Sequence, residues 1–209
     1  GQKVITVSPD YADNTKFADE WLPAQPGTDG ALAMAMGHVV LKEFYVDGEV
    51  DEFTSYVKQY TDLPFLISLR EHGDAYVPDK FVTASTLGRD DDSAEWKPVF
   101  IDSRTQEVVV PLGSIGFRHT DAGVGKWNLE LGDLDPLLSL YEGREDAVAV
   151  DFPRFDDAPG ADGVVRRGVP VRRIGDRLVT TVYDLMLAQY GVGRDGLPGQ
   201  WASGYDDAS

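Results

Sequence analysis

The amino-acid sequence predicts an α/β fold, and three features of the pattern indicate it. Lys3–Val7 is β-branched and apolar on both faces, which is typical of a buried, usually parallel strand. Two segments with helical spacing follow within the first 60 residues. After residue 60 the pattern changes to short strands, hairpin signals and long polar loops. We therefore divide the 209 residues into a strand–helix–helix portion, 1–60, and an irregular, hairpin- and loop-rich α+β remainder, 61–209.

The first portion begins with the predicted strand and contains two predicted helices. The turn Ser8-Pro9-Asp10 ends the strand, since Pro9 has no N–H to donate to a ladder. A helix capped by Thr28 or Asp29 is predicted to run to about Tyr45. A second helix is predicted over Asp51–Tyr60. The apolar stripe of the first helix consists of Leu32, Ala35, Met36, Val39 and Val40.

The remainder shows hairpin signals and one last helix. Gly175-Asp176 is a two-residue turn signal of type II′, in which the first central residue is glycine. The long loops between these elements suggest that something else normally packs against them. The predicted elements are the strand pairs Val99–Ile101 with Val108–Val110 and Val169–Ile174 with Arg177–Val182, and a helix over Tyr183–Tyr190.

The composition excludes several classes of function. Asp and Glu outnumber Lys and Arg by 36 to 19, and a net charge of −17 argues against a nucleic-acid partner. Because the surplus is mostly Asp and is spread along the chain, it favours adaptation to high salt over an ordinary acidic surface. The absence of cysteine excludes disulfides, thiolate metal sites and iron–sulfur ligation within this chain. With no apolar run of about 18 residues, we expect the segment to be soluble.

Two short segments at the ends of predicted elements form the candidate binding site. In open α/β sheets, ligands bind outside the carboxyl ends of the strands, where Ser8, Pro9 and Asp10 lie. Gly27, Thr28 and Asp29 begin the long helix, whose free N–H groups suit an anion. A carboxylate at Asp29 would repel phosphate, but it could accept two hydrogen bonds from guanine N1–H and the exocyclic amine. The alternative is that Asp29 only caps the helix.

Several sequence motifs resemble a known enzyme family. Three runs near the amino end resemble the molybdopterin-guanine-dinucleotide oxidoreductases of the dimethyl sulfoxide reductase type: Val7–Tyr11 (VSPDY), Ala18–Pro23 (ADEWLP) and Gln25–Val39 (QPGTDGALAMAMGHV). Five later segments resemble the catalytic alpha subunit of respiratory nitrate reductase within that family: 60–64, 113–118, 125–130, 179–185 and 203–207.

This resemblance implies a molybdenum-bis(molybdopterin guanine dinucleotide) cofactor and reduction of nitrate to nitrite in anaerobic respiration. Gly27, Thr28 and Asp29 match the segment that holds one guanosine end of the cofactor, with Ser8, Pro9 and Asp10 beside it. Many relatives have Asp where this chain has Ser8, so a ribose contact there would be weaker. The molybdenum ligand and the ligands of a 4Fe-4S cluster would lie outside this segment.

The resemblance also implies partners. They are an iron–sulfur beta subunit, a membrane quinol-oxidising subunit and the remaining domains of the alpha subunit, in a peripheral membrane complex that can face either side. Because such alpha subunits are several times longer, we expect this chain to be a segment, without a catalytic residue and inactive alone. Alternatives are a selenate, chlorate or formate enzyme of the same family, or a non-enzymatic acidic interaction module.

Other chemically interesting residues have simpler interpretations. The pairs His72 with Asp74 and His119 with Asp121 could act in acid–base chemistry, but neither has an evident nucleophile. His38 lacks partners at metal spacing, so packing is favoured over a ligand role. Five arginines form a basic cluster that could bind an anion or an acidic subunit, or could pair with the chain's own carboxylates: Arg166, Arg167, Arg172, Arg173 and Arg177.

Overall fold

The computed structural model describes residues 1–48, 50–117, 128–153, 163–199 and 201. Within these ranges the chain has a mixed α/β fold with three α-helices, two small sheets and a closed barrel. The His119–Asp121 pair and the motif residues 118, 125–127 and 203–207 lie outside the described residues. None of the described helices is long and apolar enough to cross a membrane.

The first two strands, β1 (Ile5–Val7) and β2 (Glu20–Leu22), form a parallel pair with Ile5 opposite Glu20. The predicted strand and its parallel direction are therefore confirmed. The predicted burial is wrong: Ile5 is 52 % exposed. The physical reason is that, in the part of the chain that the structure describes, the sheet has only these two strands. Neither strand makes more than minor contact with the other described elements.

The two predicted helices are confirmed. Helix α1 (Asp29–Leu41) continues as a π-helical turn, Lys42–Val46, so the helical segment ends close to the predicted residue. Helix α2 (Asp51–Tyr60) has the predicted bounds. Leu41 at the end of α1 is buried, whereas Met36 in the predicted apolar stripe is 58 % exposed. A helix that is apolar on most sides belongs in an interior, so the exposed side of α1 is typical of a surface that other polypeptide covers.

The rest of the chain is more regular than the sequence indicated. Its strands are β3 (Leu66–His72), β4 (Ala75–Phe81), β5 (Phe100–Ile101), β6 (Val108–Val109), β7 (Asp146–Pro153), β8 (Val164–Ile174) and β9 (Arg177–Thr181). Five of them close into a barrel in the order β3-β4-β7-β8-β9. The predicted β5–β6 pair and the β8–β9 hairpin are confirmed, and Gly175 has the positive φ that its turn requires. The sequence did not predict β4, β7 or the barrel.

The last helix, α3 (Val182–Gln189), confirms the prediction and packs on the barrel beside β8 and β9. Ala188 of α3 lies in the same buried cluster as Val150, Val169 and Val171 of β7 and β8. Its other side faces α1: Leu187 is buried together with Leu41. Helix α3 therefore connects the barrel to the end of α1.

A buried carboxylate fixes the start of α3. Asp184 is fully buried and accepts hydrogen bonds from the Ser139 hydroxyl (2.6 Å), the Leu140 amide (2.8 Å) and the Thr181 hydroxyl (3.0 Å). It also pairs with Arg194 at 2.8 Å. The Thr181 hydroxyl in turn accepts from the Asp184 amide, which caps the helix. Because a buried charge is tolerated only when it is paired, this network joins the end of β9, α3 and two loops.

An arginine on β8 bridges the contact between β4 and β7, the strand pair of the barrel with the fewest paired residues. The β4–β7 contact consists of one parallel pair, Tyr76 opposite Val150. Beside it, the Arg166 guanidinium donates to Asp151 of β7 (2.7 Å) and to Asp74 in the β3–β4 turn (2.8 and 3.0 Å). These bonds hold the pKa of the Asp74 carboxyl below its usual value.

We predict that Arg166→Gln lowers the thermal midpoint of unfolding at pH 7 and that this effect fades in acid. A carboxyl whose pKa is lowered by folding stabilises the protein above its unfolded-state pKa of about 4. That stabilisation is lost as the pH falls through the lower folded-state pKa of Asp74. Melting curves between pH 2 and 7 measure the difference between wild type and variant.

The control is Arg173→Gln, which removes an exposed arginine from the same strand. It should melt like wild type at every pH. The role of this bridge would be contradicted if Arg166→Gln and wild type had the same thermal midpoint at pH 7. It would also be contradicted if their midpoints differed by the same amount at pH 2.5 as at pH 7.

Candidate functional site

The carboxyl ends of β1 and β2 lie at one edge of their sheet because the strands are parallel. The Ser8 amide donates to the Leu22 carbonyl (3.2 Å), which places the two chain exits side by side. One exit is the predicted turn at Ser8, Pro9 and Asp10. The other leads through Gln25–Thr28 to α1. The structure thus brings together the strand ends from which both candidate segments leave, and among the described residues no hydrogen bond joins the two segments.

Hydrogen bonds and two aromatic rings organise the turn after β1. The Ser8 hydroxyl donates to the Asp10 carboxylate (3.0 Å), and the Trp21 indole N–H donates to the Ser8 carbonyl (2.9 Å). The Tyr11 ring meets the Trp21 ring edge-on at 5.4 Å and is 62 % exposed. Sequence reasoning did not assign Tyr11 and Trp21 to the site. An exposed aromatic pair beside a strand-end turn offers a surface on which a flat ligand could stack.

A tight turn leads into α1. The Thr28 amide and the Thr28 hydroxyl both donate to the Gln25 carbonyl (3.0 and 2.7 Å). Pro26 and Gly27 are the central residues, and Gly27 has φ +87°, as the third position of a type II turn requires. A Cβ atom on Gly27 would meet nothing within 4 Å. The glycine is therefore needed for its backbone conformation, and the space around it is open to a ligand.

The amino end of α1 has unsatisfied donors and a free carboxylate. Thr28 occupies the N-cap position, but its hydroxyl is turned back to Gln25, so no side chain caps the helix. The first helical amide with a partner is that of Leu32, which bonds the Thr28 carbonyl (3.1 Å). Among the described residues, the amides of 29–31 have no acceptor, and the exposed Asp29 carboxylate has no donor. Asp29 is the first residue of the helix and not its cap.

This set of groups matches guanine better than phosphate. Guanine presents an O6 acceptor beside its N1–H and exocyclic amine donors. A free backbone amide can donate to O6 while the Asp29 carboxylate accepts from the two donors. A phosphate would suit the amides, but it would meet the negative charge of Asp29. The residues present therefore fit the guanine end of a dinucleotide cofactor.

A cavity of about 1100 Å³ lies elsewhere, between the end of α2, β3–β4 and residues 113–115. Its rim includes the exposed aromatic rings of Tyr60, Phe81 and Trp96, and the buried Ser114 hydroxyl on its wall has no hydrogen-bond partner in the described structure. None of the predicted cofactor-binding residues lines it, whereas Arg177 of the basic cluster does. This cavity and the guanine-matching groups are separate features.

The other candidate residues have structural partners. His72 and Asp74 do not pair: Asp74 binds Arg166, and the His72 Nδ1 lies 3.9 Å from Asp151. In the basic cluster, Arg167 donates to the Ala188 carbonyl and Arg172 to the Gln106 side chain. Arg166, Arg167 and Arg172 are thus engaged within the chain. Across the described ranges, no group of three or more His, Asp or Glu side chains could hold a metal ion.

His38 has a packing role. Its Nδ1 lies 2.8 Å from the Tyr190 carbonyl at the end of α3. The adjacent Gly37 faces the Tyr190 ring, whose Cδ1 would be 2.7 Å from a Cβ at this position. The interpretation of His38 as a packing residue, drawn from its lack of metal-spaced partners, agrees with this contact.

Comparison with known proteins identifies the family to which the chain belongs. Residues 1–152 match the molybdopterin oxidoreductase family, and the chain belongs to that family. Over 99 % of its length it is 56 % identical to the nitrate reductase alpha subunit of Mycobacterium tuberculosis (strain H37Rv). Over the same share it is 41 % identical to the nitrate reductase alpha chain of Bacillus subtilis and 39 % identical to respiratory nitrate reductase 1 alpha chain of Escherichia coli. The resemblance seen in the sequence motifs is confirmed.

The chain spans only 17 % of the length of the Mycobacterium and Bacillus relatives and 18 % of the Escherichia coli protein. The matches to these three relatives nevertheless cover nearly all of this chain.

Replacing either of two glycines near the start of α1 with alanine should change the free energy of unfolding, in opposite directions for the two positions. Gly27→Ala places a Cβ in a left-handed conformation and should lower the free energy of unfolding by about 1–2 kcal/mol. Gly30→Ala adds a Cβ within the helix, where nothing lies within 4 Å, and should raise it by about 0.5–1 kcal/mol. Urea unfolding of the two variants measures both changes. Equal effects would contradict the assigned turn.

Proposed function

We propose that this chain is part of a nitrate reductase alpha subunit and binds one guanosine end of a molybdopterin guanine dinucleotide cofactor. The observation that carries the proposal is the unpaired Asp29 carboxylate beside the unpaired amides of α1. The similarity to nitrate reductase alpha subunits over nearly the whole chain supports the assignment to that enzyme. The parent subunit would reduce nitrate to nitrite.

Each residue of the site has a role in this proposal. Asp29 accepts from N1–H and the exocyclic amine of guanine, and an amide at the start of α1 donates to O6. Gly27 keeps the backbone open to the nucleoside, and Thr28 holds the turn through Gln25. Ser8, Pro9 and Asp10 lie at the adjacent strand end, where the Asp10 carboxylate can accept from a ribose hydroxyl. The molybdenum cofactor supplies the redox chemistry, and this chain binds and orients it.

We also propose a Rossmann-like arrangement for residues 1–60. The parallel β1–β2 pair and the helix that follows it support the idea. Parallel sheets are normally covered on both faces, whereas Ile5 and Val7 of β1 are exposed here. Further strands and helices of the parent subunit would continue and cover this sheet. Residues 61–209 would then form a separate portion built on the barrel.

The proposed partners follow from the family and from the exposed apolar surface. The remaining domains of the alpha subunit would cover β1, β2 and the exposed side of α1. A 4Fe-4S cluster would lie in those domains, since this chain has no cysteine. An iron–sulfur beta subunit and a membrane quinol-oxidising subunit would deliver the electrons in a peripheral membrane complex. Without the molybdenum ligand and the cluster, the isolated chain would not reduce nitrate.

Asp29→Ala tests the binding role. In the full-length subunit, it should weaken binding of the guanine dinucleotide by about 1.5–3 kcal/mol, because the charged hydrogen bonds to guanine are lost. The measurement is the amount of guanosine monophosphate released by acid hydrolysis per purified chain. The matched control is Asp51→Ala, which removes an exposed acid from the first turn of α2.

The Asp51 variant should retain the wild-type amount of nucleotide. A wild-type amount in Asp29→Ala as well would show that Asp29 serves only the helix, and the proposed site would be wrong.

A further inference from the structure

Among the described residues, the identified contacts between helix α1 and α3 lie near the carboxyl end of α1. Its carboxyl end packs on α3, where Leu41 is buried with Tyr183 and Leu187. Its amino end, at Thr28 and Asp29, is exposed. Contacts near the carboxyl end therefore set the direction in which the helix points, and with it the place of the candidate guanine site.

The contact with α3 requires a glycine. At Gly37, an added Cβ would lie 2.7 Å from Cδ1 of the Tyr190 ring, closer than real Cβ contacts allow. The ring can lie against the backbone of α1 because Gly37 has no side chain. This contact brings the two helices closer than a larger residue would permit.

The neighbouring histidine adds a directed bond. The His38 Nδ1 is 2.8 Å from the Tyr190 carbonyl. A carbonyl only accepts, so Nδ1 carries the proton and donates. Tyr190 is the C-cap of α3, and its carbonyl is among those that the helix itself leaves without a donor. The bond fixes one point of α1 to one point of α3.

We propose that Gly37, His38 and Tyr190 form a latch that positions the amino end of α1 for guanine recognition. This inference rests on the proposed function of Asp29. His38 lies nine residues after Asp29, which is about 13 Å along the helix axis. A tilt of about 15° at the latch would move Asp29 by about 3.5 Å, more than a hydrogen bond tolerates.

The latch would act through the fraction of molecules whose helix points correctly. When α1 samples other directions, the apparent affinity for the ligand falls in proportion to the competent fraction. Neither Gly37 nor His38 needs to touch the cofactor. Both are positioning residues.

The test uses two isosteric replacements in the full-length subunit. The side-chain amide nitrogen of Asn occupies the place of the His Nδ1, whereas that of Gln occupies the place of Nε2. His38→Asn therefore keeps the donor to Tyr190, and His38→Gln removes it. The control is His72→Gln, which makes the same change at a side chain that is 65 % exposed. Asp29→Ala is the reference for loss of the binding site itself.

The readout is guanosine monophosphate released by acid hydrolysis per chain after extended dialysis, with the thermal midpoint measured in parallel. We expect His38→Gln to lose the nucleotide about three to ten times faster than wild type, the range for one hydrogen bond. His38→Asn should recover most of the retention, and His72→Gln should match wild type.

The outcomes separate the two proposals. If Asp29→Ala loses nucleotide and His38→Gln behaves like His72→Gln, the latch is wrong and the guanine site stands. If Asp29→Ala retains nucleotide, the guanine site is wrong and the latch fails with it. If His38→Gln loses nucleotide and His38→Asn loses it equally fast, the proposed hydrogen bond from His38 to Tyr190 is wrong.

A second variant covers the case in which His38→Gln does not fold. Tyr190→Leu removes the ring that faces Gly37 and leaves the carbonyl in place. It should also lose nucleotide faster than wild type. Where His38→Gln does not fold, folded Tyr190→Leu decides the question. If it retains as much nucleotide as wild type, the latch is wrong.

Discussion

The buried carboxylate of Asp184 is the interaction on which the arrangement of the chain depends. A charge without access to water must be neutralised by close donors, and Asp184 has them from Ser139, Leu140, Thr181 and Arg194. Those donors belong to a loop before β7, the end of β9 and the segment after α3. The bonds therefore place α3 on the barrel. Helix α3 in turn presents Tyr190 to α1, and α1 presents Asp29 at its far end.

The barrel and the portion that contains β1, β2 and α1 differ in how far their apolar side chains are buried. Around the barrel, apolar side chains such as Val150, Val169 and Val179 are completely buried. Around β1 and β2, and at Met36 and Val40 of α1, large apolar side chains are exposed. An apolar surface of this kind is typical of one that other polypeptide covers, which agrees with the small share of the relatives' length that the chain spans. The guanine-matching groups lie in this incompletely covered portion.

Much of the local structure could be predicted from the sequence. Helix α2 and the β8–β9 hairpin follow from spacing and from one glycine turn, because local preferences decide them. The barrel could not be predicted, since β4 contains Pro78 and charged residues, and its pairing with β7 depends on contacts distant in sequence. Burial of β1 was predicted wrongly because composition reports what a strand can bury and not what is present to cover it.

In the candidate site, too, some features could be predicted from the sequence and others could not. The resemblance indicates Gly27–Asp29 as part of the proposed site, and the turn at Pro26-Gly27 explains the glycine. Spacing alone could not show that the Thr28 hydroxyl turns away from the helix and leaves its amides free. The structure also gives physical reasons for glycines in a later motif. Gly113 has a positive φ and packs on the Asn128 backbone, and Gly116 packs on Trp96 and Lys97.

The most direct test of guanine recognition compares guanosine monophosphate with inosine monophosphate, which lacks only the exocyclic amine. Isothermal titration of the cofactor-free full-length subunit would give the ratio of the two dissociation constants. If Asp29 accepts from the amine, guanosine monophosphate should bind about tenfold or more tightly, the effect of one charged hydrogen bond. In Asp29→Ala the ratio should approach one. Equal binding of the two nucleotides by the wild-type subunit would contradict the account.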